Sequence, residues 1–253
     1  MSLLSVQALS KAFGGVVAAR NVSFQVERGE MLALIGPNGA GKSTVFNMIG
    51  GQLRPDGGSV SLNDKAITLA SPGERFRLGI GRTFQVAQAF QSMTVGENVQ
   101  MALISRSGEN HSAWTPARDR HRAEARDLLE LVGMHEAFER PCSELAYGDV
   151  KRVELAVALA GDPRLLLMDE PTAGMALRER AALMELTHSI ATSRGIGVLF
   201  TEHDMDVVFG HASRILVLLR GEIIATGTPA EVRGNARVRQ AYLGDLPLTA
   251  AAP

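Results

Sequence analysis

The stretch "GPNGAGKST", residues 36 to 44, sets glycines, a lysine and two hydroxyl side chains close together, after the apolar run "MLALI" and before the helical pattern "TVFNMIG". It fits G-x-x-x-x-G-K-[ST] in the strand, loop, helix setting where that spacing can hold a phosphate. Gly36, Gly39 and Gly41 allow a tight wrap, so that main-chain N–H groups around Pro37, Asn38, Ala40 and Thr44 can face phosphate oxygens at the positive end of the following helix. Lys42 would then reach the β/γ-phosphates of a nucleotide, and Ser43 would bind Mg²⁺. The plain alternative is a glycine-rich turn that joins a strand to a helix, and the flanking pattern weighs against it.

A second chemical group lies in "RLLLMDEP" at 164 to 171. A buried strand that ends in two adjacent carboxylates is costly unless the acids face a metal or a reacting group. Asp169 suits the shell of a Mg²⁺ ion and Glu170 suits a base that orients attacking water. Two other segments carry weaker signals: "RTFQ" ends in Gln85, and "LFTEHD" places His203 beyond another buried strand. Taken singly, Gln85 reads as a surface amide and His203 as a structural histidine.

These groups need elements to position them. Short strand-like runs ("SVQAL", "VSFQV", "EMLALIG", "RLLLMDE", "GVLFTEHD", "RILVLLRGEIIATG") alternate with longer helical patterns, which predicts an α/β sheet. From about 90 to 160 the reading changes, with helices at "TVGENVQMALIS" and "RAEARDLLELVGM" and no convincing strand. We therefore expect a core in two parts, residues 1–89 and 161–253, with a helical subdomain at 90–160 between them. The polar "RSGENHSAWTPARDRHR" at 106–122 has the composition of an exposed loop, and the tail "LPLTAAAP" that of a frayed end. In "SELAYGDVKRVELAVALA", 143 to 160, a loop through Ala146, Tyr147, Gly148 and Asp149 runs into a helix whose Val150, Val153, Val157 and Leu159 share a face, with Lys151, Arg152 and Glu154 turned elsewhere.

With 253 residues, 45% of them hydrophobic, the chain can build one large core or two modest ones. A net charge of -1 excludes general attraction to nucleic acid or to an anionic membrane, so any anion must be bound locally. A single cysteine, Cys142, forms no intrachain disulfide, and the start "MSLLSVQALSKAF" lacks the pattern of a secretory signal. A reducing cytoplasm is the expectation. The longest apolar runs fall far short of the roughly 20 residues needed to cross a bilayer, so membrane association would go through a partner.

Phosphate loop, Gln85, "LAYGD", Asp169-Glu170 and His203 follow one another in the order found in ATP-binding cassette (ABC) ATPases, and the chain resembles that family over nearly all its length. The resemblance implies a P-loop NTPase core, a mixed sheet with flanking helices and an N-terminal antiparallel β portion, with an inserted α-helical subdomain. It implies ATP and Mg²⁺ as ligands, Phe13 stacked on adenine, Gln85 linking Mg²⁺ and water to a membrane partner, and His203 at the γ-phosphate. Phe13 as a core residue is the competing reading. "LAYGD" corresponds to the signature loop, usually L-S-G-G-Q, which acts on the ATP of a second subunit facing head to tail. Gly148 and the amides of the helix behind it would then meet that γ-phosphate. Ala146 stands where the serine is usual, Tyr147 replaces the first glycine, and Asp149 replaces the glutamine. An aspartate can cap the helix it begins for about 1 kcal/mol, so the Asp149 carboxylate is expected to turn back onto the helix amides. At "AGMA", 173 to 176, Ala176 replaces an interface aspartate. The segments "FGGVVAARNVSF", "GIGRTFQ", "MTVGENV", "EPTAGMA" and "GTPAEVRGNARVRQAYLG" resemble the ATPase subunits of branched-chain (hydrophobic) amino acid importers. That resemblance implies a partner cassette, integral membrane permease subunits, an indirect link to a periplasmic binding protein and no nucleic acid. It places the protein on the cytoplasmic face of the membrane, with Phe90 and Met93 either in a groove for a permease helix or in the core. Cassettes for urea, amides or aromatic acids, lipid or lipopolysaccharide exporters, and soluble nucleic-acid-associated ABC proteins are the alternatives.

Overall fold

The computed structural model describes residues 2–85, 88–108 and 120–240. The chain opens with β1 (Leu4–Phe13) and β2 (Val16–Val26), whose alternating Leu4, Val6, Leu9 and Ala19, Val22, Phe24, Val26 point inward. Next come β3 (Met31–Ile35), α1 (Lys42–Gly50), β4 (Gly57–Leu62), β5 (Lys65–Ala66), α2 (Pro72–Arg77) and β6 (Ile80–Thr83). The helical stretch holds α3 (Val95–Ser107), α4 (Arg122–Leu131) and α5 (Tyr147–Leu159). The chain then returns to the sheet with β7 (Leu165–Asp169), α6 (Leu177–Arg194), β8 (Gly197–Thr201), α7 (Met205–His211), β9 (Arg214–Leu219) and β10 (Glu222–Gly227), and ends its described part in the short α8 (Pro229–Gly234) and α9 (Ala236–Val238).

Two sheets result. β2-β1-β4-β5 is antiparallel, and β10-β9-β3-β8-β7-β6 is parallel except for the edge hairpin β9–β10. The parallel strands are buried on both faces, which explains their unbroken apolar runs. Met31, Ala33, Ile35, Leu166, Met168, Val198 and Phe200 face one apolar cluster; Leu32, Leu34, Leu165, Leu167 and Leu199 face the other, shared with α1 and the antiparallel sheet. The first cluster continues through Val95, Val99 and Leu103 of α3, Leu128 and Leu129 of α4, and Val153 and Leu155 of α5. The helices therefore have no separate core of their own. Among the described residues, 90–160 holds no strand beyond a lone bridge between Thr94 and Pro141.

α5 begins at Tyr147, so Tyr147, Gly148 and Asp149 form its first turn and Ala146 is the cap, with no side-chain cap hydrogen bond. Asp149 sits at the third helical position, and among the described residues its carboxylate accepts no hydrogen bond from the helix amides, contrary to expectation. Lys151 and Glu154, off the shared apolar face, are buried. α3 runs on through Ser107, into the segment expected to be loop; residues 109–119 and the tail from 241 lie outside the described residues. No helix among the described residues is long and apolar enough to cross a membrane.

Candidate nucleotide site

β3 delivers the phosphate loop and α1 carries its amides forward. α1 is capped by Gly41, and among the described residues no side-chain cap hydrogen bond occupies the positive end of the helix. Gly41 has φ 104, and a Cβ there would lie 2.1 Å from the Ala18 carbonyl oxygen, so no other residue fits. The loop is braced from outside: the Gly221 N–H at the β9–β10 turn donates to the Ala40 carbonyl (2.9 Å). Lys42 is buried, and its ammonium donates to the carbonyls of Gly36 (2.7 Å) and Pro37 (3.3 Å). Burial pushes its pKa below the ordinary value, while Glu170 and Asp169 draw it back up. Ser43 is exposed at the start of α1.

β7 ends at Asp169, and the chain turns there with Glu170 in the left-handed region, φ 46. The neighbouring strand β8 holds both acids. Thr201 Oγ1 donates to Asp169 Oδ1 (2.8 Å), and the Glu170 N–H donates to the Thr201 carbonyl and hydroxyl oxygens, both at 3.1 Å. One residue further, buried Glu202 accepts from the Thr172 N–H (2.8 Å) and hydroxyl (2.7 Å). The side chain of Glu170 is engaged at both oxygens: Gln85 Nε2 donates to Oε2 (2.7 Å), and His203 Nε2 lies 2.7 Å from Oε1. Residues from two other segments thus meet on one carboxylate. Arg82 of β6 reaches Asn47 of α1 (2.8 Å) and approaches Asp169 Oδ2 at 3.8 Å, linking the helix to the acid.

Phe13, at the tip of the β1–β2 hairpin, is 50% exposed, so it is not a core residue; Ala18 of the same hairpin lies against Gly41. On α5, Ala146 and Tyr147 are exposed while Gly148 is buried. A Cβ on Gly148 would come within 3.1 Å of Glu179 Oε1, and that carboxylate also accepts from the Ala176 N–H (3.1 Å).

The model of the ABC transporter family matches residues 19–173. The branched-chain amino acid transport ATP-binding protein LivG of Salmonella typhimurium is 40% identical over 96% of this chain and 98% of its own length. The chain belongs to the ABC transporter family. As an ATP-binding cassette it binds nucleotide and is an ATPase. A second family model, of branched-chain amino acid ATP-binding cassette transporters, matches residues 222–245 of the cassette. The lipopolysaccharide export ATP-binding protein LptB of Acidithiobacillus ferridurans is 37% identical over 96% of the chain and 97% of its own. Among solved structures, the ADP conformation of an ABC-transporter cassette superposes with a TM-score of 0.87 at 33% identity, covering 97% of this cassette and all of that chain. A dimeric cassette bound to ADP and Pi gives 0.75 at 26% identity, covering 89% of this chain and 98% of that one.

The structure brings Lys42, Gln85, Asp169, Glu170 and His203 of the cassette into one region, and sets Ala146, Tyr147, Gly148 and Asp149 at the outer end of α5. Sequence reasoning missed Arg82, Thr201 and Glu202, although the last two sit in "LFTEHD" beside His203. A carboxylate directly after the buried strand "GVLFT" is the signal that could have found Glu202. Lys151 and Glu154 carried no such signal, because charges inside a helical pattern read as solvated.

Proposed function

We propose that this cassette is the ATP-hydrolysing subunit of an importer for branched-chain or other hydrophobic amino acids, attached to the cytoplasmic face of the membrane through permease subunits. The observation that carries the catalytic part is the convergence of Gln85 and His203 on Glu170 beside Lys42. The relatives named above and the match over residues 222–245 support the cargo class and favour import over lipopolysaccharide export.

In this reading the phosphates of ATP settle on the uncovered end of α1, where the loop amides replace water and Lys42 leaves the Gly36 and Pro37 carbonyls for the β- and γ-phosphate oxygens. Phe13 stacks on the adenine. Ser43, Gln85 and Asp169 suit a Mg²⁺ ion by chemistry, since all offer hard oxygen donors. Among the described residues no group of three His, Cys, Asp or Glu forms a metal cage, as fits an ion that shares its shell with phosphate. When bound, the ion would neutralise charge on the phosphates. Glu170, once Gln85 and His203 turn to ligand, orients and accepts a proton from the attacking water, while His203 faces the γ-phosphate. A second cassette, identical or related, supplies its own Ala146–Asp149 turn across the interface, and the periplasmic binding protein acts at a distance. Glu170→Gln keeps the shape and removes the base. We expect ATP still bound, turnover lowered by about a hundredfold or more and dimers accumulating on size-exclusion chromatography with ATP. Full hydrolysis by that variant would remove Glu170 from the role.

A further inference from the structure

Lys151 and Glu154 lie one turn apart on α5, 2% and 5% exposed, with Nζ 3.2 Å from Oε2. Burying an ion pair costs desolvation that apolar residues of the same size would avoid, so its contacts outside the helix should show what it does. Among the described residues, all of them fall on the main chain around Gln85. Lys151 Nζ donates to the carbonyls of Phe84 (2.6 Å) and Gln85 (3.0 Å). Glu154 Oε1 accepts from the Phe84 N–H (2.8 Å), and the same carboxylate accepts from the Gln88 N–H. Tyr147, in the first turn of α5, donates from its hydroxyl to the Gln85 carbonyl at 3.4 Å. The Gln85 side chain, in turn, donates to Glu170.

We propose that Lys151 and Glu154 are positioning residues for ATP hydrolysis: they fasten the main chain at Phe84 and Gln85 to α5, so that the place of the helix bearing Gly148 sets whether the Gln85 carboxamide holds Glu170. The proposal rests on the reading of Glu170 as the base. Contacts to main-chain atoms transmit position and ignore side-chain identity, which is what a mechanical link needs. Lysine suits it because one ammonium can serve three acceptors at once, two carbonyls and a carboxylate. When the first turn of α5 shifts to meet the phosphate of a second cassette, Phe84 and Gln85 move with it and Glu170 is freed for water. A pair that only stabilised the fold would show no preference for this one segment.

The test compares full-chain wild type with Lys151→Met, Lys151→Arg, Glu154→Gln and the double variant Lys151→Met/Glu154→Leu, measuring steady-state ATPase and equilibrium binding of MgADP. The double variant leaves no charge unpaired and keeps side-chain volume, so it carries the test should the single variants fail to fold. The expected result is a fall in kcat of about tenfold or more with KM and the MgADP Kd within about twofold, and partial recovery in Lys151→Arg. Amide hydrogen exchange at Phe84 and Gln88 should quicken in the double variant while that of the phosphate loop stays unchanged. A double variant with kcat within about twofold of wild type, or one that loses kcat and MgADP affinity in equal measure, overturns the proposal. Full activity in Glu170→Gln would instead overturn the reading beneath it, and the two failures are thus distinct.

Discussion

A side chain with a Cβ in the left-handed region costs of order 1 kcal/mol or more, and Glu170 keeps φ 46 because Thr201 holds its N–H from two oxygens while Gln85 and His203 hold its carboxylate. The strain falls on the residue read from sequence as the base. Phe13 is different: it is half exposed, and the Lys11 ammonium of its own hairpin lies over the ring, 5.7 Å from the centroid. Because no core depends on it, Phe13→Ala should leave the melting temperature unchanged while weakening ATP binding by about 1 kcal/mol, roughly fivefold in Kd. Isothermal titration with MgADP and with inorganic pyrophosphate checks this: only the adenine-bearing ligand should lose affinity. Lys42, Asp169 and Glu170 were legible as residues because their spacing is local, whereas Arg82, Thr201 and Glu202 act through contacts between strands distant in sequence, which no short window records.

At the scale of elements, α1 must hold its amides still at one end and satisfy its carbonyls at the other. Arg75 of α2 does the second task. Its side chain is 1% exposed and donates to the carbonyls of Met48 (2.8 Å) and Ile49 in the last turn of α1, and to those of Thr68 and Ala70, both at 2.9 Å. Burial lowers its pKa to about 10, which still leaves it cationic at neutral pH and opposite the negative end of the helix. Arg75→Met should therefore strand several buried carbonyls and cost about 3 kcal/mol or more, read as a lower urea midpoint. The strands β3, β7 and β8 that position the site were legible as apolar runs, and α3 as the helical pattern "TVGENVQMALIS", at whose start the structure shows Thr94 and Glu97 exchanging hydrogen bonds. β4, β5, α2 and β6 were not, since "GGSVSL" is glycine-led and half exposed, α2 is only six residues long and "IGRT" is four residues with a glycine and an arginine inside. α5 was read one turn late: a glycine at its second position hides a helix start, and tertiary contacts, not propensity, hold the first turn.

Across the molecule, Cys142 reports on how the helical portion is held. It is 1% exposed, just before α5, and accepts from Asn98 Nδ2 at 3.2 Å. Burial raises its thiol pKa, so the folded state keeps the proton that the unfolded state releases at alkaline pH. Stability from this group is therefore full below the unfolded thiol pKa and declines as pH rises through it. In the native protein a thiol reagent should label Cys142 at least about a hundredfold more slowly than in urea, at a rate set by opening of this region; fast labelling without denaturant would show that the helices detach freely. The shared apolar cluster argues that they do not. Because Val99, Leu128 and Val153 share one buried apolar cluster with Met168 and Phe200 of the sheet, swinging the helical layer away on a hinge would expose apolar surface to water. A displacement that keeps this cluster covered runs along the sheet face, like a drawer rather than a door.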